Sequence, residues 1–417
     1  NMKKIWIMNH YATEMYENEG GRHYWFAKQL IKYGYRPVIF CANTFHTKNQ
    51  QIAIEQKKYT IKQKNGIPFI FIKTSSYKGN GISRIKNMFL FAFNLLKVAK
   101  KMGKIEKPDI IIASSVHPLT CVSGILLAKK LKIPCIVEIR DLWPEAIFFF
   151  NKLKENSILG KLLLSGERWI YRKADAIIFT KEGDVDHIKE MKWDVSKKNP
   201  ISLSKCYYIN NGVDLEDFYK SIETNQLVDI KNDEFKVIYA GAIRPVNDVT
   251  KLVEAAKILK QKGYSNIRIY IYGRGSEEEK IKEKIAIENI DNVIMKGFVQ
   301  KKYIPYILSC SSVNILNYSQ TQYNWKRGNS SNKMFEYMAS GKPIISTVHM
   351  GYDLIERYQV GFSLEENTPN DLAEAIIKVY EMKPEEYNQY CNNALKAAKD
   401  FDYSVLTQKL IAILEKF

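Results

Sequence analysis

Strand-like and helix-like runs alternate along this chain, pause, and alternate again, and that pattern leaves few folds open. KKIWIMNHY (3–11) reads as a buried first strand. A loop, Gly20-Gly21 and a helix follow, with Phe26, Ala27, Leu30 and Ile31 inward and Gly34 as the stop. RPVIFCA (36–42), PDIIIASS (108–115), IPCIVEI (133–139), ADAIIFT (174–180) and KCYYINNG (205–212) read as further strands, with an apolar helix near 119–131. After a polar stretch near 217–234 the pattern restarts with FKVIYAG (235–241), a helix over 249–262 and NIRIYIYG (266–273). A charged helix (276–289), NVIMKG (292–297), a helix near 301–309 and SVNILN (312–317) continue it. Strand–helix–strand units on both sides of a linker predict two doubly wound α/β domains, residues 1–217 and 235–400. DYSVLTQKLIAILEKF is a closing amphipathic helix over 402–417.

Composition agrees with a folded chain of more than one core: 417 residues, 46% hydrophobic and 12% aromatic. No run of 18 uncharged apolar residues occurs, so no membrane-spanning helix is expected, and no signal peptide is visible. Six scattered cysteines without a C-x-x-C pair argue against structural zinc and a disulfide scaffold, and favour a reducing cytoplasm. The formal charge of +18 is uneven. Residues 1–217 hold 36 Lys/Arg against 20 Asp/Glu; residues 218–417 hold 27 against 25. No acidic residue lies between Glu55 and Glu106, where twelve Lys/Arg fall. The first half is built to face something anionic.

The most chemically informative stretch is SSNKMFEYMASGKPIIS (330–346). Ser330, Ser331 and Asn332 offer side-chain oxygens to cap a helix start. Met334, Tyr337 and Met338 recur at helical spacing, and Gly341 and Pro343 end the helix before a β-branched run. Lys333 and Glu336, three apart, share a face. A helix start with a lysine attracts phosphate, and a nearby carboxylate accepts hydroxyl protons, which together suit a sugar nucleotide.

The Gly-Gly loop, YAGAIRP, IYGRGSEEEKI, VIMKGFV and NKMFEYMASGKPII occur in this order along the chain. Together they resemble a GT-B glycosyltransferase, most closely family 4 of the retaining enzymes. EIRDLWPE (138–145) is similar to bacterial O-antigen and capsule enzymes of the N-acetylfucosaminyl-transferase-like kind. The resemblance implies two Rossmann-like domains with a cleft between them, and a last helix that crosses back to the first domain. It implies a UDP-sugar donor carrying an N-acetylated hexosamine or deoxy-hexosamine. The implied acceptor is a glycan on a polyprenyl diphosphate, and no metal or other cofactor takes part. Many members carry two glutamates eight positions apart; Glu336 matches the second, whereas Gly328 stands at the first.

Site residues carried over by the resemblance fall in both halves. Glu336 would bind the ribose hydroxyls. Lys333, Arg244 and Asn247 would meet the diphosphate, with Asn332 and Met334 beside them. Gly273, Arg274 and Gly275 form a turn that lets backbone approach the nucleotide, and Phe298 lies where the family contacts the base. Gly20, Gly21 and Arg22 open a helix that would host donor phosphates or the acceptor. Asp141, at a strand's carboxyl edge, would touch the transferred sugar or the acceptor hydroxyl; its plainer readings are a helix cap or an ion pair with Arg140. Glu138 could instead pair with Arg140. His117, with His10 as a weaker counterpart, would contact donor or acceptor as a neutral imidazole.

The stretch 57–104 is the expected membrane face. Within it GISRIKNMFLFAFNLLKVAKKMGK (81–104) reads as a helix with a broad apolar side and cationic ends, and FFFNKLKENSILGKLLL (148–164) extends the surface. This places the chain in the cytoplasm, peripheral on the inner face of the cytoplasmic membrane. Two other readings explain less. A GT-B epimerase needs paired acid and base carboxylates and no membrane surface. A basic nucleic-acid-binding protein gives the ordered donor motifs no role, so no nucleic acid is expected. A dehydrogenase lacks its G-x-G-x-x-G after a strand.

Overall fold

The computed structural model describes residues 2–227, 229–230 and 233–417; Val228, Lys231 and Asn232 of the expected linker lie outside the described residues. The chain divides into two compact units, Asn1–Asn210 with Leu406–Phe417, and Asn211–Val405. The first unit runs β1 (Lys4–Met8), α1 (Thr13–Asn18), α2 (Arg22–Lys32), β2 (Arg36–Ala42), β3 (Tyr59–Lys64), β4 (Ile67–Ile72) and α3 (Ile82–Ile105). It continues through β5 (Ile110–Ser115), α4 (Pro118–Leu131), β6 (Cys135–Ile139), α5 (Glu145–Phe149), α6 (Ile158–Lys173), β7 (Ala176–Phe179), α7 (Val185–Glu190) and β8 (Cys206–Tyr208). Its sheet has the order β3-β4-β2-β1-β5-β6-β7-β8. All pairings are parallel except β3 with β4.

That hairpin was not expected. Its turn is Asn65-Gly66, both with positive φ (50° and 81°), and Lys64 pairs directly with Ile67. Asn-Gly between two such runs is a strong hairpin signal. Part of the acid-free basic stretch is therefore an edge strand, where lysines also discourage pairing with another chain. Phe91, Leu95, Val98 and Ala99 of α3 pack into the core, whereas Ile82, Ile85, Phe89, Leu90 and Phe93 are exposed. Fully burying a side chain such as Phe91 contributes about 1.5–3 kcal/mol. The α3, α4 and α6 crossovers all move the chain the same way along the sheet, so these helices share one face.

The second unit runs α8 (Leu215–Thr224), β9 (Phe235–Ala240), α9 (Thr250–Gln261), β10 (Ile267–Tyr272), α10 (Glu278–Ile287), β11 (Val293–Gly297) and α11 (Ile304–Ser309). Then come β12 (Val313–Leu316), α12 (Asn332–Ala339), β13 (Ile344–Ser346), α13 (Leu354–Arg357), β14 (Gly361–Ser363), α14 (Pro369–Tyr380), α15 (Pro384–Asp400) and α16 (Tyr403–Leu414). Its sheet is parallel, in the order β11-β10-β9-β12-β13-β14. From Leu406 onward α16 belongs to the first unit, where Gln408 donates to Tyr33 Oη (3.0 Å) and Lys416 to Tyr207 Oη (2.7 Å). Among the described residues no helix is long and apolar enough to cross a membrane.

Each sheet reverses its direction of growth once. In the first unit the chain leaves β1 for β2 on one side and later resumes with β5 on the other. In the second unit β10 and β12 flank β9 in the same way. Crevices at such switch points, outside the carboxyl ends of the strands, are where doubly wound sheets bind ligands.

Candidate active site

The switch point of the second unit holds a cation among aromatic rings. Tyr239 ends β9, Tyr318 follows β12, and Lys333 lies in the first turn of α12. The Lys333 Nζ sits 5.2 Å from the centre of each tyrosine ring. It also lies against Gly241, where a Cβ would collide with it. Burial first, then the nearby Arg244, push the Lys333 ammonium down to about 8, with Glu336 opposing. The Glu336 carboxyl is pushed up by burial, against the pull of Lys301 and Lys333. Lys333 and Glu336 therefore do share one electrostatic neighbourhood, and Lys301 joins them without any signal in the sequence.

The start of α12 is not built as expected. Its N-cap is Ser331, but no side chain caps the helix. Ser331 Oγ instead accepts from Tyr318 Oη (2.7 Å), and Ser331 N donates to Asn329 Oδ1 (2.8 Å). The serine is thus spent on orienting the tyrosine that faces Lys333. Met334 is fully buried in the core and its N–H bonds Ser331 O (3.2 Å), so its side chain is packing rather than a donor contact. Asn332 is exposed at the helix start. Gly328 has φ +107°. The position that holds glutamate in many relatives is left-handed backbone here, which suits glycine.

The other donor candidates gather at neighbouring strand ends. Gly273 (φ +140°) follows β10, and a Cβ there would strike the Gly241 carbonyl; one on Gly275 would strike that of Ile243. These glycines let the turns after β9 and β10 touch, as Ile243 N donates to Arg274 O (2.8 Å). Phe298, just beyond β11, is 58% exposed, and the Arg274 guanidinium lies 5.0 Å from its ring centre. That leaves a flat exposed ring with a cation beside it, suited to stacking a base. Arg244 is exposed. Asn247 is buried; its carbonyl accepts from Asn317 Nδ2 (2.6 Å), while its own Oδ1 lacks a partner among the described residues.

At the switch point of the first unit the cation is replaced by neutral rings. His10 follows β1 and His117 follows β5, both buried, with His10 Nδ1 to His117 Nε2 at 2.8 Å. Burial, then Arg84, bring His117 down to about 3. Burial, then His117, hold His10 well below its ordinary value. Both are neutral at physiological pH, and one donates to the other; His117 Nδ1 is unpartnered among the described residues. Beside them Asn9 Nδ2, His23 and Glu138 form a buried chain (2.9 and 2.7 Å) that Ser114 joins (2.9 Å).

Arg22 does not face a ligand. It is 2% exposed, its Nε lies 3.0 Å from Glu138 Oε2, and its other nitrogens donate to Asn210 O (2.6 Å) and Ile209 O (2.9 Å). It is a strut tying α2 to β6 and to the end of β8, because the first position of α2 points inward. Burial pushes the Glu138 carboxyl up, but Arg22, His23 and Arg140 together hold it well below the carboxylate range. Gly21 (φ +101°) caps α2, since a Cβ would meet Met15 Cγ at 2.8 Å; at Gly20 it would only touch Trp25 (3.4 Å). Asp141 is half exposed and pairs with Lys181 (3.3 Å), while the Lys181 Nζ also donates to Arg140 O (3.2 Å). Asp141 and His117 are thus held by different partners. Asp184, missed in the sequence, is buried near this pair with no hydrogen bond to its carboxylate among the described residues, and burial raises it to about 7. One described group could hold a cation, Glu145, His187 and Glu190, with ligand atoms within 4.8 Å of one another. It lies on α5 and α7, not at either switch point.

Two doubly wound units of this kind, one after the other, define the GT-B class of fold. Residues 24–217 match the family described as Glycosyltransferase Family 4, and residues 222–397 match Glycosyl transferases group 1. Between them the two matches span most of the chain. It is similar over 245 residues (26% identity, 58% of each chain) to a glycosyltransferase assigned to teichuronic acid biosynthesis in Bacillus subtilis. An 83-residue segment is 32% identical to the UDP-N-acetylglucosamine–N-acetylmuramyl-(pentapeptide) pyrophosphoryl-undecaprenol N-acetylglucosamine transferase of Pseudoalteromonas translucida (20% of this chain, 23% of that one). The chain thus spans little more than half, or less, of these relatives. In structure it is similar to Anabaena HepE in complex with UDP (TM-score 0.66, 14% identity, all of both chains).

Proposed function

We propose that this chain transfers a sugar, an N-acetylated hexosamine or deoxy-hexosamine, from a UDP-sugar to a polyprenyl-diphosphate-linked glycan in bacterial surface polysaccharide synthesis. Transfer occurs with retention and without a metal. The observation that carries this reading is Lys333 held with Glu336 at the switch point of a glycosyltransferase domain. In this reading Lys333 and Arg244 take the charge of the leaving diphosphate, Glu336 accepts from the ribose, and Phe298 stacks the base. The bound UDP of the HepE complex supports the nucleotide, and the name of the Pseudoalteromonas relative supports a lipid-linked acceptor.

The acceptor oxygen bonds to the anomeric carbon on the face from which UDP leaves. The carbon–oxygen bond to the diphosphate breaks, its electron pair stays on that oxygen, and the acceptor's hydroxyl proton goes there too. No protein base is required. The neutral His10–His117 pair and Asp141 then orient sugar hydroxyls. The exposed apolar residues of α3, with Lys86 and Lys97 on the same helix, support docking on an anionic membrane from the cytoplasmic side. The test is release of UDP from UDP-sugars with a lipid-diphosphate glycan acceptor, in EDTA. Activity in EDTA that Glu336→Ala abolishes is expected. No UDP release with any UDP-sugar, and unchanged nucleotide affinity in Glu336→Ala, would sink the reading.

A further inference from the structure

The first unit contains an apolar cavity of about 420 Å³ beside the carboxyl end of β5. It opens between α4 and α6, at the carboxyl ends of β5 and β6, where Ser115, Ile139 and Asp141 line it. Val122, Leu126, Trp143, Leu162, Leu163 and Trp169 form most of its wall. Leu162 is 66% and Leu126 42% exposed, so apolar surface continues from the cavity out to solvent. Leaving such surface wet costs roughly 25 cal/mol per Å². The connection into α6 adds Phe149, Phe150, Ile158 and Leu159, all exposed. It also carries Lys152, Lys154 and Lys161 against the single acid Glu155. The charged members of the cavity wall are Asp141 and Glu167 and the lysines lie outside it, so the slot fits the long apolar chain of an amphiphile.

We propose that this cavity takes the isoprenoid tail of the lipid-linked acceptor, anchoring it at the strand edge that carries Asp141. The proposal rests on the lipid-linked acceptor reading and adds where its lipid lies. The slot is recessed between two helices and walled in part by Trp143 and Trp169, whereas the exposed residues of α3 form an open surface. The tail therefore enters the cavity while the membrane meets α3.

Gly166 of α6 offers a clean plug. It lines the cavity, and a Cβ placed on it meets nothing within 4 Å. A leucine there starts from open space at the cavity wall and improves helix propensity. The experiment titrates geranylgeranyl diphosphate into the full chain, read by quenching of the tryptophans, two of which (Trp143 and Trp169) wall the cavity. Saturable binding is expected, at least tenfold weaker in Gly166→Leu and within twofold in Gly166→Ala. UDP binding and retention on anionic vesicles should stay unchanged in both variants, which shows that they fold. Equal binding by Gly166→Leu and the wild type would overturn the proposal. So would equal competition by inorganic diphosphate or by a short-chain phosphatidylglycerol. A chain that binds UDP but no geranylgeranyl diphosphate overturns this inference alone, whereas loss of UDP release overturns the reading beneath it.

Discussion

The two switch points have the same strand arrangement, and burial depresses a titratable base in each, yet one keeps its charge and the other does not. In the second unit, burial lowers Lys333 from an ordinary 10.5 only to about 8, so the ammonium survives at neutral pH. In the first, burial lowers His117 from 6.5 to about 3, so the imidazole is uncharged. One physical push acts on different starting values. In the proposed reading the lysine remains a cation for a diphosphate, and the histidine becomes a neutral hydrogen-bonding ring for sugar hydroxyls.

That contrast can be broken in several ways. The largest effect is expected from His117→Ala, which should lower kcat by about 100-fold or more, the scale of one oriented hydrogen-bonding group at a reacting centre. UDP affinity should stay within twofold, and the wild-type kcat should show no inflection near pH 6.5. A matching loss of UDP affinity would show that the two switch points do not divide the work.

The contrast in charge makes a pH prediction next. Only the protonated Lys333 attracts the diphosphate, so the dissociation constant for UDP should rise about tenfold per pH unit above 8. Lys333→Arg, which stays charged, should flatten that rise in calorimetric titrations from pH 7 to 10. A wild type as flat as the variant would remove Lys333 from the nucleotide.

Gly328→Glu tests the missing glutamate. Restoring the family residue should not raise activity, because left-handed backbone costs a non-glycine residue about 1–2 kcal/mol. Chemical denaturation should find the variant less stable by that amount.

The smallest effect concerns Asp184. It keeps its proton to about pH 7 when folded and loses it near 3.8 when unfolded. Between those values the folded state holds the extra proton, so stability falls as pH rises. Asp184→Asn removes this penalty. It should melt higher than the wild type at pH 8 and equally at pH 3.5.

Most strands of both sheets were legible because parallel strands buried on both faces read as apolar runs. The hairpin at 59–72 carries its signal in Asn65-Gly66, but its first strand, YTIKQK, lacks the apolar run that marks the other strands. Lys333 and Glu336 were legible as a spacing on one helix. Arg22 was not legible as a strut, since its partners Glu138, Ile209 and Asn210 lie over a hundred positions away in sequence. The same holds for the His10–His117 pair, 107 positions apart, and, across 40 positions, for Asp141–Lys181, whose partners follow neighbouring strands. Ser331 shows a subtler limit: its type suits a cap, but Tyr318 supplies a competing partner for its oxygen.

The most direct test of the division between the units is calorimetric titration of UDP at pH 7 into the wild type, Lys333→Ala and His117→Ala. Loss of a charge-assisted contact worth about 1.5–3 kcal/mol should weaken binding roughly 10- to 150-fold in Lys333→Ala, and His117→Ala should bind like the wild type. Equal affinity in the wild type and Lys333→Ala would contradict the account.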